Sequence, residues 1–188
     1  MDAVVILAGG KSRRMGRDKL TLEVGGRTLL ESVVGKFAEA FDAVYISVAE
    51  KGKYREVAVP EIVDIYSGAG PLAGLHAALS SIPCEGVFLV AADLPHATPD
   101  AAKRVVELCG SNDACVIKLH DGKLEPLFAY YKSKLLPDCE ELLASGEFRM
   151  TELIYRANTK FIEPGQLGEL WSQRLIYNIN LPEDYAKL

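Results

Sequence analysis

Six apolar residues in a row, Val87-Phe88-Leu89-Val90-Ala91-Ala92, end abruptly at Asp93-Leu94-Pro95. A strand without polar alternation has no face to give to water, so both of its faces must be covered. That run calls for a central, parallel strand with helices above and below it. Around it the chain alternates strand-like and helix-like segments. Ala3–Leu7, Ala43–Val48, Glu61–Ile65, Ala114–Leu119, Leu127–Tyr131 and Asn158–Ile162 read as strands. Leu29 to Phe41, Pro71 to Ile82, Thr98 to Cys109, Leu135 to Ser145 and Phe148 to Tyr155 read as helices. Thr28 and Glu31 form a capping-box pattern, and Pro71 suits a first helical turn, where its missing N–H costs nothing. Leu20, Leu22 and Val24 alternate like a strand. Glu50 to Pro60 is polar and gives no assignment. Ile176–Ile179 reads as a short apolar, strand-like piece, and Pro182–Leu188 as a last helical turn. Successive β-α-β units predict an α/β fold: a three-layer α/β/α sandwich on a mostly parallel, Rossmann-like sheet, with 1–188 as a single domain.

Composition removes several classes of function. The 188 residues carry a net charge of −5, which argues against a nucleic-acid partner. No apolar stretch approaches the roughly 20 residues that a membrane span needs. Asp2 stands where a secretory leader has positive charge, and the first apolar run stops at Gly9-Gly10. The four cysteines form no CxxC pair, so reduced, mostly buried thiols and a cytoplasmic location are expected. The three histidines are too scattered for a metal motif, and no Ser-His-Asp set stands out.

In open α/β sheets ligands bind beyond the carboxyl ends of the strands, at a switch point. That directs attention to the loops after Leu7, Ile65 and Ala92. The first of them is Ala8-Gly9-Gly10-Lys11-Ser12-Arg13-Arg14-Met15-Gly16-Arg17-Asp18-Lys19. Five cations and one acid lie between Lys11 and Lys19, in a chain that is otherwise acidic. Glycines let main-chain N–H groups approach an anion, so this loop suits a compact polyanion such as a triphosphate. It is not a Walker loop, because the first glycine of that pattern falls on Val5. Asp93 is placed to hold a hard cation such as Mg²⁺, which prefers oxygen ligands. Asp64 precedes Ser67-Gly68-Ala69-Gly70-Pro71, which opens a helix whose N-terminal amides favour acceptors. Gly68-x-Gly70-x-x-Ala73 matches a dinucleotide fingerprint only formally, since Asp93 runs into Leu-Pro and the basic loop would have no role. Asn178 and Asn180 offer amide groups to a polar ligand, or simply form a turn before Pro182.

Taken together, these motifs resemble the molybdenum cofactor guanylyltransferases, the MobA family of nucleotidyltransferases. Leu7 to Lys19 matches the family's LAGG-x-S-x-RMG-x-DK signature. Asp64, Gly70 to Gly74 (GPLAG), Asp93-Leu94-Pro95, Pro126 to Ala129 and Asn178 to Asp184 come in the family's order. The resemblance implies transfer of GMP from GTP to a molybdopterin phosphate, with release of pyrophosphate. It implies nucleotide contacts from Leu7, Ala8, Gly9, Gly10, Lys19, Asp64, Gly70 and Asp93. It further implies charge stabilisation by Arg14 and Lys19, Mg²⁺ at Asp93, and acceptor contacts from Asn178 and Asn180. Transient contact with molybdoenzymes or cofactor-insertion proteins is a further implication. Gly9-Gly10, where an Ala-Gly pair would go with CTP, points to GTP. Ala49 departs from the family, which often has asparagine there. Other readings are a sugar- or polyol-phosphate acceptor, a CTP-dependent molybdopterin cytidylyltransferase, or a GTP-binding adaptor without turnover.

Overall fold

The computed structural model describes residues 3–9, 18–24 and 26–179. The expectations for Gly10, Arg14, Asn180 and the 182–188 turn lie outside the described residues.

Strand β1 (Ala3–Leu7) is buried at every position. Its odd and even residues enter different cores: Val4 and Ile6 face one, Ala3, Val5 and Leu7 the other. Two cores on one strand require a covering layer on each side. Helices α1 (Leu29–Ala38) and α3 (Pro99–Cys109) cover the Val4 side, through Leu30, Val33, Phe37, Ala102 and Val105. Helices α2 (Pro71–Ser81), α4 (Leu136–Ala144) and α5 (Met150–Arg156) cover the Val5 side. The expected three-layer α/β/α sandwich is therefore present. The capping box of α1 is formed, with Thr28 Oγ1 accepting from Glu31 N at 3.1 Å and Glu31 Oε2 accepting from Thr28 N at 2.7 Å.

The remaining strands are β2 (Glu23–Val24), β3 (Arg27–Thr28), β4 (Val44–Val48), β5 (Glu61–Val63), β6 (Gly86–Ala91), β7 (Ala114–Lys118), β8 (Leu124–Lys132) and β9 (Thr159–Ile162). The main sheet has the order β5-β4-β1-β6-β8-β7-β9. Only β8 runs against its neighbours. The chain leaves β1 through α1 toward β4, then returns through α2 to β6 on the other side of β1. The strand order thus reverses between β1 and β6, which makes that gap the switch point.

The apolar run of β6 is central, but it pairs in parallel only with β1 and is antiparallel to β8. Covering both faces explains its composition, while the direction of a neighbour leaves no mark on it. Leu20, Leu22 and Val24 do not form one strand. Lys19–Thr21 is a 3₁₀ turn under the Asp18 side chain, and only Glu23–Val24 pairs, with Arg27–Thr28. Ile65 lies beyond β5 and is 66% exposed. The short strand expected at Ile176–Ile179 is replaced by a 3₁₀ turn, Gln173–Ile176, and a strap without sheet pairing. Three of the four cysteines are buried. Among the described residues no helix is long and apolar enough to cross a membrane.

Candidate active site

The carboxyl ends of four strands are level. Ala8 N donates to Ser47 O at 2.9 Å, Ala92 N to Leu7 O at 3.1 Å, and Asp64 N to Val48 O at 2.9 Å. The segments that begin at Ala8, Ala49, Asp64 and Ala92 therefore leave the sheet side by side. Because β1 lies between β4 and β6, Asp64 flanks its end on one side and Asp93 on the other.

On the β6 side, Lys19 Nζ donates to Asp93 Oδ2 at 2.6 Å. The two side chains are only 20% and 21% exposed. Lys19 Nζ also donates to Ile179 O at 3.0 Å, while Ile179 N donates to Asp93 O at 3.0 Å. Residues 74 and 160 positions apart along the chain are thus fastened into one knot at the switch point. Asn178, next to this knot, is exposed. Pro95 O accepts a hydrogen bond from the Lys36 ammonium. The adjacent His96 is pushed below the usual imidazole range by burial and by the positive charges of Lys36 and Arg174. The rim beyond Asp93 is therefore cationic.

On the β4 side, Asp64 Oδ1 accepts from Ser47 Oγ at 2.7 Å, and burial raises the carboxyl above its usual range. A Cβ on Gly9 would stand 3.3 Å from Asp64 Oδ2. Glycine there lets the strand end lie directly against the carboxylate. Gly74, in α2, is required for a different close approach. A Cβ on it would meet Leu7 Cδ2 at 2.5 Å and Ser47 Oγ at 2.6 Å. Packing of the GPLAG helix thus sets the hydroxyl that orients Asp64. Gly70 caps that helix with φ +67°, a conformation that L side chains rarely adopt. Ala49 has its backbone N 3.9 Å from the Cβ position of Gly9, and its methyl group offers no hydrogen bond.

Two functional candidates were not legible in the sequence. Tyr54, from the unassigned 50–60 stretch, is 1% exposed. Its hydroxyl lies 2.7 Å from Asp18 Oδ2 and 3.2 Å from Ala8 O. Lys53 Nζ lies 2.5 Å from the same Asp18 oxygen. Burial raises the Asp18 carboxyl, but hydrogen bonds from Lys53, Tyr54 and Leu20 outweigh it and hold the group below its usual value. The Tyr54 phenol is pushed up to about 12, first by burial. The only hint was a lone tyrosine in a polar stretch.

A cavity of about 690 Å³, lined by Leu79 to Glu85 and Ser133, opens at the amino end of β6. That is the opposite end of the sheet from Asp93. Lys19, Asp64 and Asp93 gather instead at the carboxyl edge.

A family model for the MobA-like NTP transferase domain matches residues 4–160. The probable molybdenum cofactor guanylyltransferase of Pelotomaculum thermopropionicum is 32% identical to the chain, over 97% of it and 89% of the relative. That of Pyrococcus furiosus is 34% identical, over 97% and 94%. The crystal structure of molybdopterin-guanine dinucleotide biosynthesis protein A from Archaeoglobus fulgidus superposes with a TM-score of 0.85 at 26% identity, over all of this chain and 96% of that one. The 2-C-methyl-D-erythritol 4-phosphate cytidylyltransferase of Thermus thermophilus shares the fold, with a TM-score of 0.69 at 18% identity over 100% and 96% of the two chains.

Proposed function

The chain belongs to the MobA-like NTP transferase family, and on that premise we propose that it is a molybdenum cofactor guanylyltransferase. In this reaction an oxygen of the terminal phosphate of molybdenum-bearing molybdopterin attacks the α-phosphorus of GTP. A new P–O–P linkage forms, the α–β bond breaks, and pyrophosphate leaves with the bonding electrons. The product is the guanine dinucleotide form of the cofactor. A phosphate monoester has a second pKa of about 6, so the nucleophile is already ionised near neutral pH and needs no general base.

The observation that supports this reading best is the meeting of Lys19 and Asp93 at the switch point. Lys19 is fixed by Asp93 and by Ile179 O before any ligand arrives. A charge already in place can stabilise the leaving pyrophosphate without reorganising. Asp64, set by Ser47 beside Gly9, takes the nucleotide, with main-chain groups of Leu7, Ala8 and Gly9 and the helix that opens at Gly70. Gly10 and Arg14 keep their proposed nucleotide and charge-stabilising roles. Asn178 and Asn180 serve the acceptor.

Asp93 is the residue that would hold a divalent cation, Mg²⁺ in this reading. Among the described residues no group of three or more His, Cys, Asp or Glu side chains gathers into a metal cage. One part-buried carboxylate at the sheet's carboxyl edge suits Mg²⁺, which keeps several waters and takes one or two carboxylates together with substrate phosphates. Bound there, the cation would offset triphosphate charge. The same proposal has 1–188 acting as one domain in the cytoplasm and handing its product to molybdoenzymes or cofactor-insertion proteins by transient contact. No observation favours a sugar- or polyol-phosphate acceptor, CTP, or a silent adaptor. Pyrophosphate release, assayed with each of the four NTPs against each acceptor, tests the reading. Turnover should require GTP with molybdopterin, and turnover with CTP or a sugar phosphate in its place would overturn it.

A further inference from the structure

Lys19 owes its place to Asp18, and Asp18 is itself held from outside the motif. Its Oδ1 accepts from Leu20 N at 3.1 Å and its carbonyl from Thr21 N at 3.1 Å, which shapes the turn carrying Lys19. Its Oδ2 takes Tyr54 at 2.7 Å and Lys53 at 2.5 Å. A hydroxyl has one proton to give, so Asp18 receives the stronger bond and Ala8 O, at 3.2 Å, the weaker share. The turn that bears Tyr54 is fastened at its start, where Gly52 N donates to Glu61 Oε2 at 2.7 Å. Hydrogen bonds joined by short stretches of main chain therefore lead from β5 through Tyr54 and Asp18 to Lys19 and Asp93, touching the end of β1 on the way.

We infer that Tyr54, assisted by Lys53, is a positioning residue for the nucleotide: through Asp18 it sets where the Lys19 ammonium stands relative to the end of β1. The inference rests on the reading of Lys19 as a triphosphate ligand. Tyr54 need touch no substrate. The competing role is that of an ordinary core tyrosine with a satisfied hydroxyl, which would affect stability alone.

Tyr54→Phe removes one oxygen and keeps the ring. A lost bond to a charged group corresponds to a KM for GTP raised about tenfold, with a smaller change in kcat. Tyr131→Phe is the control. Its hydroxyl is also buried and donates one bond, to Pro126 O at 2.9 Å, on the other half of the sheet. It should lower Tm comparably and leave the KM for GTP alone. Asp18→Asn can still accept from Leu20 N but loses its charge toward Lys53, and it keeps the test available if Tyr54→Phe folds poorly. The double variant should be no worse than the worse single one, because both cut the same chain. Lys19→Ala is measured alongside. A raised KM in Tyr54→Phe and Asp18→Asn, absent in Tyr131→Phe, supports the inference. Unchanged GTP binding in Tyr54→Phe with impaired binding in Lys19→Ala overturns the inference alone. Unchanged binding in Tyr54→Phe, Asp18→Asn and Lys19→Ala overturns the reading of Lys19 and the inference with it.

Discussion

The two halves of the sheet both bury their interior strands, but they place their polar residues differently. In β5-β4-β1-β6 every neighbouring pair is parallel, so every carboxyl end points the same way. Asp64 and Asp93 come directly after two of those ends, and Lys19 returns to them from the loop after a third. In β8-β7-β9 the first strand is reversed, and Tyr131, Phe128 and Val116 fill the interior as completely as Val5 and Ile6 do. None of the residues singled out for nucleotide or metal chemistry belongs to that second half. Parallel pairing concentrates loops at one edge, whereas reversal sends alternate connections to opposite edges. Packing quality alone therefore does not mark a site; coincident strand ends do.

Substitutions on the two halves should separate stability from chemistry. Asp93→Asn should cut turnover with Mg²⁺ by about 10² to 10³, the usual effect of losing one pre-placed charge interaction, while the chain still folds. A near-normal rate would remove Asp93 from the reaction. Lys19→Ala should weaken GTP by roughly 10- to 100-fold in calorimetry.

A paired glycine test is sharper. Gly74→Ala drives a methyl into Leu7 and Ser47. Gly86→Ala drives one into the Tyr130 hydroxyl and Tyr131 O. Each should cost about 1–3 kcal/mol in urea unfolding. Only Gly74→Ala should also raise the KM for GTP, because it alone disturbs the hydroxyl that orients Asp64. Equal KM values in the two variants would erase the functional contrast between the carboxyl edge, against which Gly74 packs, and the seam of β6 with β8, where Gly86 packs.

The smallest effect concerns acid. Asp18 on the first half and Glu147 on the second both have carboxyls below their usual range. The hydrogen bonds of Arg149 hold Glu147 at about 2. A depressed native pKa gives stability that is present above the unfolded value and is lost as pH falls through the native one. Asp18→Asn and Glu147→Gln should therefore both flatten the decline of the urea midpoint as pH falls from the ordinary carboxylate range toward about 2. An acid limb as steep as wild type in Asp18→Asn would show that its carboxylate contributes nothing to the native state.

Much of this was legible from local pattern. The capping box at Thr28, Pro71 at the head of α2 and the buried run of β6 arise from spacing and composition, and each is where those rules put it. The glycine-containing basic segment and the two acids at strand ends announced themselves as candidates for the same reason. Tyr54 could not be found that way. Its partners lie 36 and 46 residues off, and nothing in Glu50 to Pro60 distinguishes a buried tyrosine from an exposed one. The strap at Ile179 reads as a strand in the sequence because its apolar residues pack on a core, yet its main chain bonds to Asp93 and Lys19 instead of to a sheet edge.

The sequence by itself determined the layer architecture, since strand and helix periods depend on neighbours a few residues away. It also determined which polar residues stand at the ends of apolar runs. Tertiary structure alone decided which side of β6 is parallel, that Lys19 reaches Asp93, and that a tyrosine without a motif holds Asp18. Those outcomes depend on hydrogen bonds between segments dozens of residues apart, and such bonds leave no periodic trace along the chain.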